Sequence, residues 1–405
     1  MMINRKLHKM AFNCEWGRQM RFITGPRQSG KTTLAKNQLK ITHCDKLYYL
    51  WDLRTVKDRY KNNELFFTAD SLPQKNKQWV CFDEIHKYPG WKNVLKGIYD
   101  SSFENYNFIV TGSSKLNVVR RAGDSLAGRY FTFNLFPLML CEIINNPNQT
   151  FSLNTADEYI SLILDSSPAS LEASSQLINN SGFPEPFLSQ SSAFRKKWKT
   201  NYIDTVIRED ISLLTQIIDR EKIYDLYKLL PEMIGSPISE SSLASHIQVS
   251  PITAKKYLHR LEDFYLLFSI RPFSKNIKRS LLKSPKIYFY DWTLPASQGA
   301  RFENYVACEL YSRTAFWSEE TGDDFSLFYI RNKQKQETDF LIIRNKKPWL
   351  LVEAKLKDCL IERQHFNTIE ALDNIPFVQI CLENGIASLQ KNNVYRISAS
   401  RFFVI

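Results

Sequence analysis

The run GPRQSGKTT, residues 25–33, follows directly on the apolar segment MRFIT and constrains this chain more than any other stretch. Gly25 and Gly30 let the backbone curl until its N–H groups face a phosphate. Lys31 is placed to reach β- and γ-phosphates, and Thr32 offers a hydroxyl to Mg²⁺. A helix opening near Lys31 points its positive end at the same oxygens. Such a loop works only between a buried strand and a helix, so the N-terminal fold must be α/β. The expected nucleotide contacts are Gly25, Pro26, Arg27, Gln28, Ser29, Gly30, Lys31, Thr32 and Thr33, with ATP and Mg²⁺ as the ligands.

Short apolar and aromatic runs at 20–24, 46–50, 79–82 and 108–111 alternate with helical stretches. This is the pattern of a parallel sheet buried on both faces. The third run, in QWVCFDEIH, ends in Asp83 and Glu84. Asp83 is expected to hold Mg²⁺ and Glu84 to polarise the attacking water, a pairing that favours hydrolysis over binding alone. The fourth run, in FIVTGSSK, delivers Thr111, Ser113 and Ser114 to a strand end, where open α/β sheets bind ligands. Ser113 is the expected γ-phosphate sensor. Arg129, in SLAGRYF, is the expected catalytic arginine, acting in cis or from a neighbouring subunit, with Arg120 and Arg121 as competitors. The bland reading of each arginine is a solvated or ion-paired side chain.

The chain has 405 residues, which suggests two or three domains. No run of 18 apolar residues predicts a membrane span, and the first twenty residues lack the pattern of a signal peptide. The seven cysteines are scattered without a CxxC pair, the usage of a cytoplasmic protein. A net charge of +12 fits DNA as a partner, and equally an acidic protein.

Beyond the ATPase region of residues 1–150, residues 151–235 read as a Ser- and Asn-rich stretch, a surface loop or a solvated helical segment, followed by helices. Residues 236–275 read as a helix-turn-helix: Ser239 caps a helix to about Ile247, and Ser250-Pro251 opens a second. Thr253, Lys255, Lys256 and Arg260 on that second helix are the candidate DNA contacts, and residues 265–270 would begin a wing. Residues 276–405 read as α+β. There Asp339, Glu353 and Lys355 fall near one edge of a hairpin, with Glu303 as a further acid. Two carboxylates and a lysine can hold Mg²⁺ and activate water; three surface charges are the plainer reading.

The chain resembles the large bacterial and archaeal family of AAA-like P-loop ATPases with a C-terminal nuclease-like domain. The resemblance rests on INRKL, GPRQSGKTTL, FDEIHKYPGWKNVLK, IVTGSSK, SLAGRY, FPLMLCE, GFPEPFL, YIDTVIREDI, SPKIYFYD, ARFENYVACEL, ETDFLI and LVEAKLK. It implies an AAA-like parallel sheet with helices on both faces, a winged helix and a restriction-endonuclease-like fold. It also implies a metal site at Glu303, Asp339, Glu353 and Lys355. The stretch DWTLPASQGARFE is shorter than in many relatives, which would reshape the entrance to that site. Three functions follow as expectations: an ATPase acting on DNA, an ATP-gated metal-dependent nuclease, or a nucleotide-switched module, as a homo-oligomer or with a protein partner, whose nuclease fold is inactive.

Overall fold

The computed structural model describes residues 3–72, 76–112, 126–144, 154–211, 219–274, 284–332, 334–390 and 393–405. The chain divides into two compact units, one of Asn4–Pro137 with Asp263–Tyr265, the other of Leu138–Glu262 with Leu266–Ile405.

The first unit is built on β1 (Met20–Thr24), β2 (Tyr48–Leu50), β3 (Gln78–Asp83), β4 (Tyr106–Thr111) and β5 (Tyr130–Asn134). These form one five-stranded sheet in the order β2-β3-β4-β1-β5, parallel throughout. Parallel neighbours need crossovers, which the helices Lys31–Ile41, Arg54–Asn62 and Trp91–Ser102 supply. Each of the four expected strands forms. The second is shorter than its apolar run because Asp45–Leu47 is a 3-10 turn. Phe67, Phe82 and Phe108 are fully buried against the sheet, each contributing roughly 1.5–3 kcal/mol of transfer free energy. Because β4 lies between β1 and β3, the C-terminal ends of all three meet.

In the second unit, the Ser- and Asn-rich stretch forms the helices Ala156–Asp165 and Leu171–Asn180, not a loop. Thr155 and Ser170 cap them, while Tyr159, Ile160, Ile163, Leu177 and Ile178 bury an apolar stripe. The helices Glu240–Ile247 and Pro251–Asp263 follow further on. Ser239 and Ser250 accept from the N–H groups of Ser242 and Thr253. Gln248 makes the turn between them in the left-handed region.

The remaining strands are β6 (Leu267–Pro272), β7 (Lys286–Phe289), β8 (Phe325–Arg331), β9 (Glu337–Arg344), β10 (Lys347–Lys355), β11 (Phe377–Cys381), β12 (Ala387–Gln390) and β13 (Val394–Ser398). They form one eight-stranded sheet in the order β12-β13-β11-β10-β9-β8-β6-β7. The strand after the helix pair is therefore no free-standing wing. It pairs antiparallel with β7 and also parallel with β8, and so continues the C-terminal sheet. Leu341, Ile343, Leu351, Ile369, Leu372, Phe377 and Val394 form a core cluster beside it. Among the described residues, no helix is long and apolar enough to cross a membrane.

Candidate functional site

Residues 25–30 turn between β1 and the Lys31–Ile41 helix. Gly25 has φ +137°, and a Cβ there would lie 2.2 Å from the Leu135 carbonyl oxygen, so no larger residue fits without moving backbone. Gly30 caps the helix in the left-handed region at φ 99°. Lys31 is buried, and its ammonium donates to the carbonyls of Gly25 at 3.0 Å and Pro26 at 2.6 Å, inside the loop. Ser29 is fully buried, and its hydroxyl has no hydrogen-bond partner among the described residues. Pro26 is buried, Arg27 half-buried, and Gln28 and Thr33 exposed.

Asp83 gathers hydroxyls at the end of β3. Thr32 donates to its Oδ2 at 2.9 Å, Tyr48 donates to the same oxygen at 2.5 Å, and Thr111 donates to Oδ1. A buried carboxylate beside a threonine hydroxyl fits a hexacoordinate Mg²⁺ that keeps several waters. Burial, then the bond to Asp83, pushes the Tyr48 phenol far above its ordinary value, so it remains a donor. Glu84 follows in the left-handed region at φ 59°, which costs a non-glycine residue roughly 1–2 kcal/mol. Its carboxylate lies 3.3 Å from Lys87 and 3.5 Å from His86. Burial pushes its pKa up, and Lys87 pulls against that shift.

Two residues outside the expected set support this loop. Tyr48 sits in an apolar run, and only the pairing of β2 with β3 brings it to Asp83. Arg5 donates to the Ser29 carbonyl at 2.8 Å and to the Phe136 carbonyl at 2.5 Å, tying the loop to the segment after β5.

Ser113 and the competing Arg120 and Arg121 lie outside the described residues. Arg129 corrects an expectation. It immediately precedes β5, and Met20 donates to its carbonyl, so it sits at the N-terminal ends of β1 and β5. The phosphate loop leaves the opposite end of β1. Five residues of strand, roughly 16 Å, separate the two, and the Arg129 guanidinium is paired with Asp100 at 2.8 Å. It is no arginine for the phosphates of its own chain.

In the second unit, the structure brings Glu303, Asp339, Glu353 and Lys355 into one network. Asp339 accepts from the Ala354 N–H at 3.0 Å, and Glu353 accepts from the Asp339 N–H at 3.1 Å. Lys355 pairs with Glu353 at 3.0 Å and with Glu362 at 3.3 Å. Lys286, unnoticed in the sequence, is completely buried, with its ammonium 3.3 Å from Glu303, 2.5 Å from Glu337 and 3.6 Å from Asp339. Burial first, and Asp339 next, push Glu303 up to about 7 and Glu353 up to about 8. Among the described residues, no group of three or more His, Cys, Asp or Glu could hold a metal ion.

On the Pro251–Asp263 helix, Lys255 and Lys256 are exposed and Arg260 is half-buried. Lys255 pairs with Glu240 at 3.0 Å, the Thr253 hydroxyl bonds Ser250 at 2.9 Å, and Arg260 is also engaged within the fold.

Residues 17–144 match the family described as AAA domain, residues 171–299 a domain of unknown function (DUF8612), and residues 298–402 another (DUF4143). Similar proteins include uncharacterized protein MJ1544 of Methanocaldococcus jannaschii, 27% identical over 85% of this chain and 77% of that protein. Another is uncharacterized protein Rv2008c of Mycobacterium tuberculosis, 24% identical over 81% of this chain and 68% of that protein. The solved structure of C. elegans PCH-2 overlaps 62% of this chain and 65% of its own at 14% identity, with a TM-score of 0.23. That of CDC6P from Pyrobaculum aerophilum overlaps 75% and 92% at 12% identity, with a TM-score of 0.25, and likenesses this faint carry no weight. The matched family and the parallel sheet together support an AAA-like P-loop fold for residues 17–144.

Proposed function

We propose that the chain is a Mg²⁺-dependent ATPase whose hydrolytic site is Lys31, Thr32, Asp83 and Glu84. The observation that carries this reading is their convergence at the C-terminal ends of β1 and β3, with Thr32 bonded to Asp83 at 2.9 Å. The loop N–H groups and the helix N-terminus bind the phosphates. Lys31 leaves the Gly25 and Pro26 carbonyls for a phosphate oxygen, a stronger acceptor. Thr32 and Asp83 hold Mg²⁺, which, when bound, offsets charge on the phosphate oxygens. Glu84 orients the attacking water and takes its proton, and burial raises its basicity for that task.

The load on this engine is a DNA-related movement of the second unit, in which the Glu240–Asp263 helix pair is the DNA-facing part. Support comes from exposed Lys255 and Lys256 and from the net charge of +12. A second reading is a nucleotide-switched interaction module whose nuclease-like fold is inactive. It draws on the lysine lodged among the carboxylates of that fold.

The test is steady-state ATP hydrolysis, with and without duplex DNA at low salt. Lys31→Ala should abolish turnover. Glu84→Gln should keep nucleotide binding and lose about 10²–10⁴-fold in kcat. Wild-type rates in Lys31→Ala would overturn the hydrolytic site, and a rate indifferent to DNA would favour the interaction module.

A further inference from the structure

We propose that Lys286 is a built-in cation that occupies, in the second unit, the place a divalent metal would need, so that this carboxylate pocket is metal-free by construction of the fold. Lys286 opens β7, and its side chain has no solvent exposure. The ammonium contacts one oxygen each of Glu303, Glu337 and Asp339, at 3.3, 2.5 and 3.6 Å. These carboxylates come from separate elements, Glu303 from the Gln298–Thr321 helix and the other two from β9. A divalent ion at that point would sit about 2.0–2.6 Å from the same oxygens, within the ammonium's own volume. Two cations cannot share it, and a buried lysine deprived of its acids would be left as an uncompensated charge.

Several oxygens of these carboxylates have further partners. Glu303 Oε1 also accepts from the Tyr288 hydroxyl at 2.8 Å, and Glu337 Oε2 meets Arg331 at 3.3 Å. Asp339 Oδ2 and Glu353 Oε2 accept backbone N–H groups across the β9–β10 hairpin, while Glu353 Oε1 meets Lys355. The remaining approach to Glu303 is covered by Gly235, at φ +79°, where even a Cβ would come within 2.6 Å of Oε2. A residue larger than glycine at 235 would meet that carboxylate. Lys286 holds the helix to two strands of the sheet, as a metal does in a metal-stapled fold.

The experiment is calorimetric titration of the nucleotide-free full chain with MnCl₂, for wild type, Asp339→Asn, Lys286→Met and Lys286→Met/Asp339→Asn, with circular dichroism as the control for folding. Wild type and Asp339→Asn should bind Mn²⁺ alike, with no Asp339-dependent site into the millimolar range. Lys286→Met should gain one equivalent of Mn²⁺, which the added Asp339→Asn removes. Asp339-dependent Mn²⁺ binding by wild type would overturn the proposal, as would a folded Lys286→Met that gains none. Should Lys286→Met fail to fold, Lys286→Gln takes its place, and the wild-type titration decides on its own.

Discussion

Tyr48 shows how much a single hydroxyl can do in the proposed nucleotide site. Its bond to Asp83 Oδ2 is made from a neighbouring strand and turns the carboxylate toward Thr32. Groups that orient a metal-binding carboxylate typically matter 10–100-fold for metal affinity. Tyr48→Phe should therefore raise the Mg²⁺ concentration for half-maximal ATP hydrolysis by about 10–100-fold, read from a Mg²⁺ titration at saturating ATP. Stability should fall by only about 0.5–1.5 kcal/mol, the net worth of one hydrogen bond. Tyr48 was invisible in the sequence because tyrosine inside an apolar run looks like core, and only strand pairing reveals its neighbour. Lys31 and Thr32 stand out in the sequence because a phosphate loop dictates residue types at fixed spacing, and Asp83 and Glu84 because an apolar strand run ends in them. Lys286 left a faint trace, a charge at the head of the otherwise apolar KIYFY. Its three acids are scattered over 36 positions of sequence, from Glu303 to Glu337 and Asp339, and nothing local links them to it.

At the scale of elements, the phosphate loop is braced from outside. Arg5 precedes the Lys6–Ala11 helix and bonds carbonyls on both the loop and the segment after β5. Arg5→Ala should loosen the loop and raise the KM for ATP about tenfold with a smaller change in kcat, the loss of a charge-assisted bond worth about 1.5–3 kcal/mol. A KM-against-kcat comparison of purified Arg5→Ala and Arg5→Lys checks this, since lysine cannot span both carbonyls. Strands buried on both faces, such as β1, could be read directly from continuous apolar runs. The edge strand β5 could not, because Phe131 is exposed and its burial alternates irregularly. The bounds of the Gln298–Thr321 helix are not announced by its sequence. The helix buries polar residues such as Asn304, Glu309 and Arg313, which blur its amphipathic period.

For the whole molecule, buried carboxylates make stability depend on pH. Glu303 and Glu353 have folded-state values raised to about 7 and about 8, above the ordinary carboxylate value. A raised value means that the folded state binds the proton more tightly than the unfolded one. The stabilisation is thus full below the unfolded value and lost as pH rises through about 7 to 8. The melting midpoint of the second unit should fall by several degrees between about pH 6 and about pH 9, and Glu303→Gln/Glu353→Gln should flatten that slope. Scanning calorimetry across the range measures both.

The double pairing of β6 carries a different consequence, one of solubility. By lying between β7 and β8, β6 keeps the N–H and C=O groups of β8 from forming an open rim. A chain shortened to begin at residue 276 would lack it and leave β8 with an unprotected edge, the kind of surface that recruits strands from other molecules. Such a fragment should self-associate in size-exclusion chromatography, whereas one retaining the Glu240–Ile247 helix and β6 should not. What reads in the sequence as the start of a wing therefore works as the guard strand of the C-terminal sheet.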